Sequence, residues 1–133
     1  MKEQAKQWLE FSKIDLATIE KIKNDEFLTQ SAAFHSQQSV EKSLKSILEL
    51  YDFSVPKSHD LRMIYTKIEK LKINLEIDND MLDSINQIYI DTRYPADFGL
   101  LPGGKPSLKM IDKFYEYAKS IYAMAEEIIN KFE

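Results

Sequence analysis

The apolar residues of this chain recur at the 3.6-residue helical period in five separate segments, and nowhere do they alternate convincingly at period two. That pattern commits the chain to an all-α fold. The spacing predicts helices over about Lys2–Lys23, from a Thr29 or Ser31 cap to Tyr51, and over about His59–Lys72, Asp78–Asp91 and Ser107–Phe132. Ala5, Trp8, Leu9, Leu16, Ile19 and Ile22 share one side of the first. The third is expected to bury Leu61, Ile64, Tyr65, Ile68 and Leu71, and the fourth Met81, Leu82, Ile85, Ile88 and Tyr89. The fifth carries the cleanest stripe, from Met110 and Ile111 through Phe114, Ala118, Ile121, Ala125, Ile128 and Ile129 to Phe132. It is expected either to be the central core helix or to share apolar surface with another subunit. Pro56 blocks helical continuation from the second segment, and Ser58 is the expected N-cap of the third, with Asp60 placing negative charge in its first turn. All connections are short except one, which gives a compact antiparallel bundle.

The second segment holds the most information. On a wheel of about 100° per residue, Ala33, Val40, Leu44, Ile47, Leu48 and Tyr51 form an apolar stripe, and His35, Gln38, Lys42 and Lys45 gather almost opposite, with Glu41 beside them. This polar run is either a solvated back face or a face that meets something other than the chain's own core. In the first segment Asp15 falls within the apolar sector, next to Ser12. A buried carboxylate must find a donor or take up a proton, so Asp15 is expected to bond to a tyrosine, lysine or backbone group, in preference to serving as a catalytic acid.

At 133 residues the chain is expected to be one domain, 1–133, with one core. No apolar run is long enough to span a bilayer, and the N-terminal stretch lacks the apolar core of a signal peptide, so a cytoplasmic protein with no membrane association is expected. Having no cysteine excludes disulfides, thiolate nucleophiles and zinc-thiolate sites. With only His35 and His59, no metal site and no cofactor are expected. A net charge of −4 argues against coating nucleic acid by bulk electrostatics. The third segment is basic and the fourth acidic, a contrast suited to pairing the two helices.

The long connection, TRYPADFGLLPGGKPS, contains all three glycines and three of the four prolines. Long loops in compact domains are often functional. Its Gly103-Gly104-Lys105-Pro106 only imitates a phosphate loop, because the Lys is not followed by Ser or Thr. Arg93 with Tyr94 and Asp97 at its entrance either presents a planar cation to a phosphate or carboxylate, or tethers the loop to an acid such as Asp91 or Asp15. His59, before Asp60 at a helix start, reads as a cap-region residue in preference to a general base. A Ser-His-Asp triad lacks a nucleophile elbow, and a di-metal bundle lacks its Glu-x-x-His pairs; both are rejected.

Four stretches together resemble the HEPN domains (higher eukaryotes and prokaryotes nucleotide-binding): Asp15-Leu16, Phe34–Leu48 (FHSQQSVEKSLKSIL), Pro56–Leu61 (PKSHDL) and RYPADF from Arg93. The resemblance implies an up-and-down antiparallel four-helix bundle with a shorter fifth helix, usually assembled as a homodimer. It also implies, for many relatives, a toxin–antitoxin pairing with a minimal nucleotidyltransferase. Catalytically active relatives are metal-independent ribonucleases in which an Arg is followed, after four to six residues, by a His at the dimer cleft. Here Arg93 is followed at those distances by Phe98, Gly99 and Leu100, and no histidine occurs after His59. Arginine stabilises phosphate charge but does not take the proton that cleavage through a 2′-hydroxyl must move.

Two readings follow, with no catalytic residue assigned under the first. One is a non-catalytic binding module, a homodimer engaging a nucleotidyltransferase protein or a nucleotide through Arg93, Tyr94, Asp97, His35, Gln38, Glu41, Lys42, Lys45, His59 and Asp60. Nucleotide phosphates would meet Lys42, Lys45 and Arg93. The alternative is a ribonuclease with a displaced site using His35 or His59 with Arg93, and RNA as its ligand.

Overall fold

The structure is a computed structural model that describes residues 2–93 and 105–132. Its five α-helices are α1 (Lys2–Ile22), α2 (Thr29–Leu50), α3 (Leu61–Glu69), α4 (Asn79–Arg93) and α5 (Leu108–Lys131), with one 3₁₀ turn at Glu26–Leu28. No strand occurs among the described residues. The short helix is α3; the other four are the long members of the bundle.

Fifteen of the 22 residues of α2 are buried, and it packs against all four other helices. The central helix is therefore α2 and not α5. Val40, Leu44, Ile47 and Leu48 are wholly enclosed, and α5 closes the core with Ile111, Phe114, Ala118, Ile121, Ala125 and Ile129. At about 25 cal/mol per Å² of apolar surface removed from water, such side chains each contribute roughly 1.5–3 kcal/mol. Met110, Tyr115, Tyr122 and Ile128 of α5, and Phe132 at its C-cap, are only partly covered.

Small residues bring α1 close to α2. The Ser12 hydroxyl donates to Ser39 O at 2.9 Å and lies 2.8 Å from both Ser39 Oγ and Ser43 Oγ. All three serines are fully buried, and the cluster satisfies the hydroxyls where larger side chains would hold the helices apart. Position 15 meets 35 and 42, position 12 meets 39 and 43, and position 8 meets 45, so the two helices run antiparallel.

Helix ends differ from the sequence expectation where two caps compete. Asp25, and not Thr29 or Ser31, supplies the acceptor before α2: its Oδ1 takes Phe27 N–H at 2.9 Å and shapes the 3₁₀ turn, while Leu28 at the cap position of α2 makes no side-chain bond. Asp60, and not Ser58, caps α3, accepting from Arg62 N at 3.0 Å and Met63 N at 3.3 Å. Ser58 Oγ instead accepts Asp60 N–H. Helix α3 ends at Glu69, short of Lys72, because Lys72 turns into the left-handed region at φ 57°. The basic–acidic contrast of α3 and α4 resolves into one bidentate contact, Arg62 Nη2 to Asp83 Oδ2 at 2.7 Å and Nε to Oδ1 at 3.1 Å. Asp83 raises the Arg62 pKa, chiefly through that hydrogen bond.

Two tyrosines of α5 couple the bundle to pH. Tyr117 donates to Asp78 O at 3.0 Å, and burial holds its pKa well above the usual value of about 10. Burial first, then a hydrogen bond with Glu20, pushes Tyr115 up to about 12. A group with a raised folded-state pKa holds its proton longer folded than unfolded, so its stabilisation is intact below the unfolded pKa and declines above it. Urea unfolding midpoints are expected to stay level up to about pH 10 and to fall between about pH 10 and 12. The Tyr115→Phe, Tyr117→Phe double variant is expected to flatten that fall, and an unchanged slope would refute the assignment.

Candidate functional site

The polar run of α2 is neither a solvated back face nor wholly open. Helix α1 and the segment before α3 cover it, leaving Glu41 3 % and Lys45 4 % exposed. Two arrangements of one chemistry result. In the first, Asp15 of α1 accepts at Oδ2 from Lys42 Nζ at 2.7 Å and at Oδ1 from His35 Nδ1 at 2.8 Å. In the second, Glu41 accepts at Oε2 from Lys45 Nζ at 2.9 Å, and at Oε1 from His59 Nδ1 at 3.0 Å and Gln37 Nε2 at 3.1 Å. Each buried carboxylate thus holds one lysine and one histidine. The lysine expected as a partner for Asp15 is Lys42, and the histidine comes in addition.

Each histidine turns Nδ1 to its carboxylate; a tautomer that donates through Nδ1 leaves Nε2 as a lone-pair acceptor. His59 is over half exposed and the His35 side chain about one quarter exposed, so both imidazoles reach the surface from buried anchors.

Gln37, which sequence reasoning passed over, extends the Glu41 set. Besides Glu41 it donates to the main-chain O of His59 at 2.8 Å, and its own Oε1 accepts from Gln38 at 2.7 Å. Its separation of four residues from Glu41 was the available signal, since such residues are neighbours on a helix. Trp8, also missed, lies under Lys45, whose Nζ is 5.6 Å from the indole centroid. Between the histidines runs an aromatic row: Phe34 meets His35 edge-on at 5.3 Å, stacks on Tyr89 at 5.8 Å, and Tyr89 stands 6.3 Å from His59. Only packing between α2 and α4 assembles that row.

Asp60 lies beside His59, and with Asn86, Tyr89 and Ile90 the two line a recess of about 140 Å³. A larger groove, about 370 Å³ along Leu75, Met124 and Ile128, contains none of the expected site residues. The Arg93 side chain, Tyr94 and Asp97 lie outside the described residues. Of the acids considered as tethers for Arg93, Asp15 is taken by Lys42 and His35, and Asp91 accepts from Gln87 at 3.0 Å. Among the described residues no group of three or more His, Asp or Glu is placed to hold a metal ion, and no helix is long and apolar enough to cross a membrane.

A family model for the HEPN domain matches residues 5–133. The chain belongs to the HEPN domain family. No curated protein matches it. The crystal structure of an archaeal HEPN homologue is similar to it, with a TM-score of 0.68 at 20 % identity, over 94 % of this chain and 97 % of that one. At that identity the likeness is one of fold. The all-helical HEPN bundle is thereby established, and the paired Lys–carboxylate–His sets are features of this chain's own side chains.

Removing one member of a buried ion pair strands the other, at a cost of about 3–5 kcal/mol. Lys45→Met is therefore expected to lower unfolding free energy by about that much, while Glu41→Gln combined with Lys45→Met recovers a substantial part of the loss. Equal losses in the single and double variants, measured by urea unfolding, would show that Glu41 is not the stranded partner.

Proposed function

We propose that this HEPN chain is a non-catalytic interaction module, a homodimer that pairs with a minimal nucleotidyltransferase in the manner of a toxin and its antitoxin. The observation that carries the reading is that the charged groups of α2 are already matched within the chain. Lys42 and Lys45, the candidates for nucleotide phosphates, are bonded to Asp15 and Glu41 at 2.7 and 2.9 Å. A phosphate would have to break buried or half-buried pairs to reach them, so a protein surface fits this face better than a nucleotide does.

Exposed apolar groups border the same face. Phe34 is 37 % and Ile90 46 % exposed beside the α2–α4 contact; on α1, Phe11 and Ile14 are 53 % and 56 % exposed and flank the Asp15 seam. Exposed aromatic and aliphatic side chains are the kind of group that anchors a protein interface, with polar groups at its rim. The nucleotidyltransferase as partner comes from the family resemblance, and the missing histidine after Arg93 supports a module without proton-transfer chemistry at that position.

Sedimentation of the wild-type chain at about 100 µM is expected to give a dimer, at a concentration well above the micromolar range of moderate affinities. Phe34→Asp with Ile90→Asp is expected to weaken association by at least about tenfold. A wild-type monomer that also fails to co-purify with a co-expressed nucleotidyltransferase encoded beside it would overturn the reading.

A second reading has its own observation. His35 and His59 present Nε2 outward from carboxylate-held rings, the orientation a general base requires, so a ribonuclease with a displaced site would use them together with Arg93. RNA incubated with the chain alone decides it: cleavage that disappears in His35→Ala and His59→Ala would replace the first reading.

A further inference from the structure

We propose that residues 73–77, between α3 and α4, are a docking edge for an extended segment of a partner protein, which pairs with them as a β-strand and sets alternate apolar side chains into the groove along α5. This goes beyond the reading of the α2 face, since the groove contains none of that face's residues.

Exposure alternates along this connection. Lys72, Asn74, Glu76 and Asp78 are exposed, while Ile73, Leu75 and Ile77 are half-buried against the core. That is the period of a strand with one covered face, yet no partner strand occurs among the described residues. Both ends of the stretch are moored. Leu71 N and Lys72 N close the end of α3 on Ile68 O and Glu69 O, and Asp78 O accepts from Leu82 N at 3.1 Å and from the Tyr117 hydroxyl at 3.0 Å. Between these anchors residues 73–78 make no turn or bend.

The main chain of that span is unpaired: no N–H or C=O of residues 73–77 bonds to another described residue. A straight row of unpaired main-chain donors and acceptors is the template that an added strand uses. A partner helix, with its own main chain bonded internally, would leave the row unmatched. An extended peptide matches it group for group, and because the segment is already straight, little ordering cost falls on this side of the contact.

The groove beside the segment supplies the side-chain contacts. Its volume of about 370 Å³ lies within the roughly 300–1,000 Å³ of ligand clefts, and Leu75, Met124 and Ile128 form its apolar walls. At the rim Lys131 Nζ bonds Glu127 Oε1 at 2.7 Å, which leaves Glu76 as the charged lining residue without a partner among the described residues. The occupant that fits therefore carries apolar side chains on the face turned to the groove and a basic one on its other face, across from Glu76.

The probe is the blocked peptide acetyl-Val-Lys-Val-Lys-Val-amide, titrated into the full chain and followed by amide NMR and hydrogen exchange. Two controls accompany it: the fully N-methylated peptide, which keeps every side chain but has no donor, and the peptide with glutamate in place of lysine. Saturable shifts are expected at residues 73–77, Met124 and Ile128. Exchange at residues 73–77, fast in the free chain because those amides meet no protein acceptor, is expected to slow about tenfold at about nine-tenths occupancy. The N-methylated peptide is expected not to saturate, and the glutamate peptide to bind about two- to fivefold more weakly. Met124→Lys with Ile128→Lys, which removes the apolar walls at two partly covered positions, is expected to weaken binding by at least about tenfold. No saturation, equal binding of the N-methylated peptide, equal or tighter binding of the glutamate peptide, or unchanged exchange at residues 73–77 would each overturn the proposal. Dimerisation and co-purification with a nucleotidyltransferase are measured without the peptide, so the docking edge and the reading of the α2 face fail separately.

Discussion

The Asp15 carboxylate sets the terms for the helix pair at the centre of this fold. It is 4 % exposed, and both of its side-chain partners, His35 and Lys42, come from α2. A buried carboxylate without partners costs several kcal/mol, so a slip of α1 against α2 by one turn is penalised at that single point more than by any one apolar contact. The Ser12 cluster reinforces the same alignment with hydroxyls that are satisfied only when Ser39 and Ser43 stand opposite. Apolar stripes tolerate sliding; this polar seam does not. The register of the core helix is therefore held by the groups that a hydrophobic pattern alone would have placed outside.

Glu41 extends that logic to the rest of the bundle. Its three donors come from its own helix and from His59, and Gln37 grips the main-chain O of His59 as well. The segment that leads into α3 is thus moored to α2 before Asp60 caps the helix. Asp60 in turn accepts from Asn86 of α4, so one sequence of polar contacts runs from α2 through the start of α3 to α4. Among the described residues no buried side-chain nitrogen or oxygen is left without a partner. The positions of His35 and His59 follow from this mooring, because each ring is held by its inner nitrogen.

Helix existence was legible in the apolar period, since burial of a stripe is a property of one helix that its own residues express. The need of Asp15 for a donor was legible too, from the cost of an unpaired buried charge. What covers the polar face of α2 was not. A wheel records which residues share a side of a helix and says nothing of which neighbour packs there, so it left a solvated face and a face for another molecule open and gave no sign of Lys45 over Trp8 or Glu41 under His59. Cap choice failed for a related reason: Ser58 and Asp60, or Thr29 and Asp25, are equivalent acceptors in sequence, and tertiary contacts decided between them. The aromatic row from His35 to His59 was beyond reach because Tyr89 is distant in sequence from both Phe34 and His59.

Stability alone does not account for two buried Lys–carboxylate–His sets. Apolar residues of matching volume would serve a core as well, since desolvation consumes most of what a buried ion pair gains. What the ions add is placement. Each carboxylate holds an imidazole in one orientation, and each lysine bonds to that carboxylate without occupying the imidazole's outer nitrogen. The result is a surface whose polar groups are rigid and already matched, bordered by exposed Phe11, Ile14, Phe34 and Ile90. Such a surface has little side-chain freedom left to lose on association, which is the largest avoidable cost of binding a macromolecule. Capture of a free phosphate depends on cations that are still available, and on this face Lys42 and Lys45 are already bonded to Asp15 and Glu41.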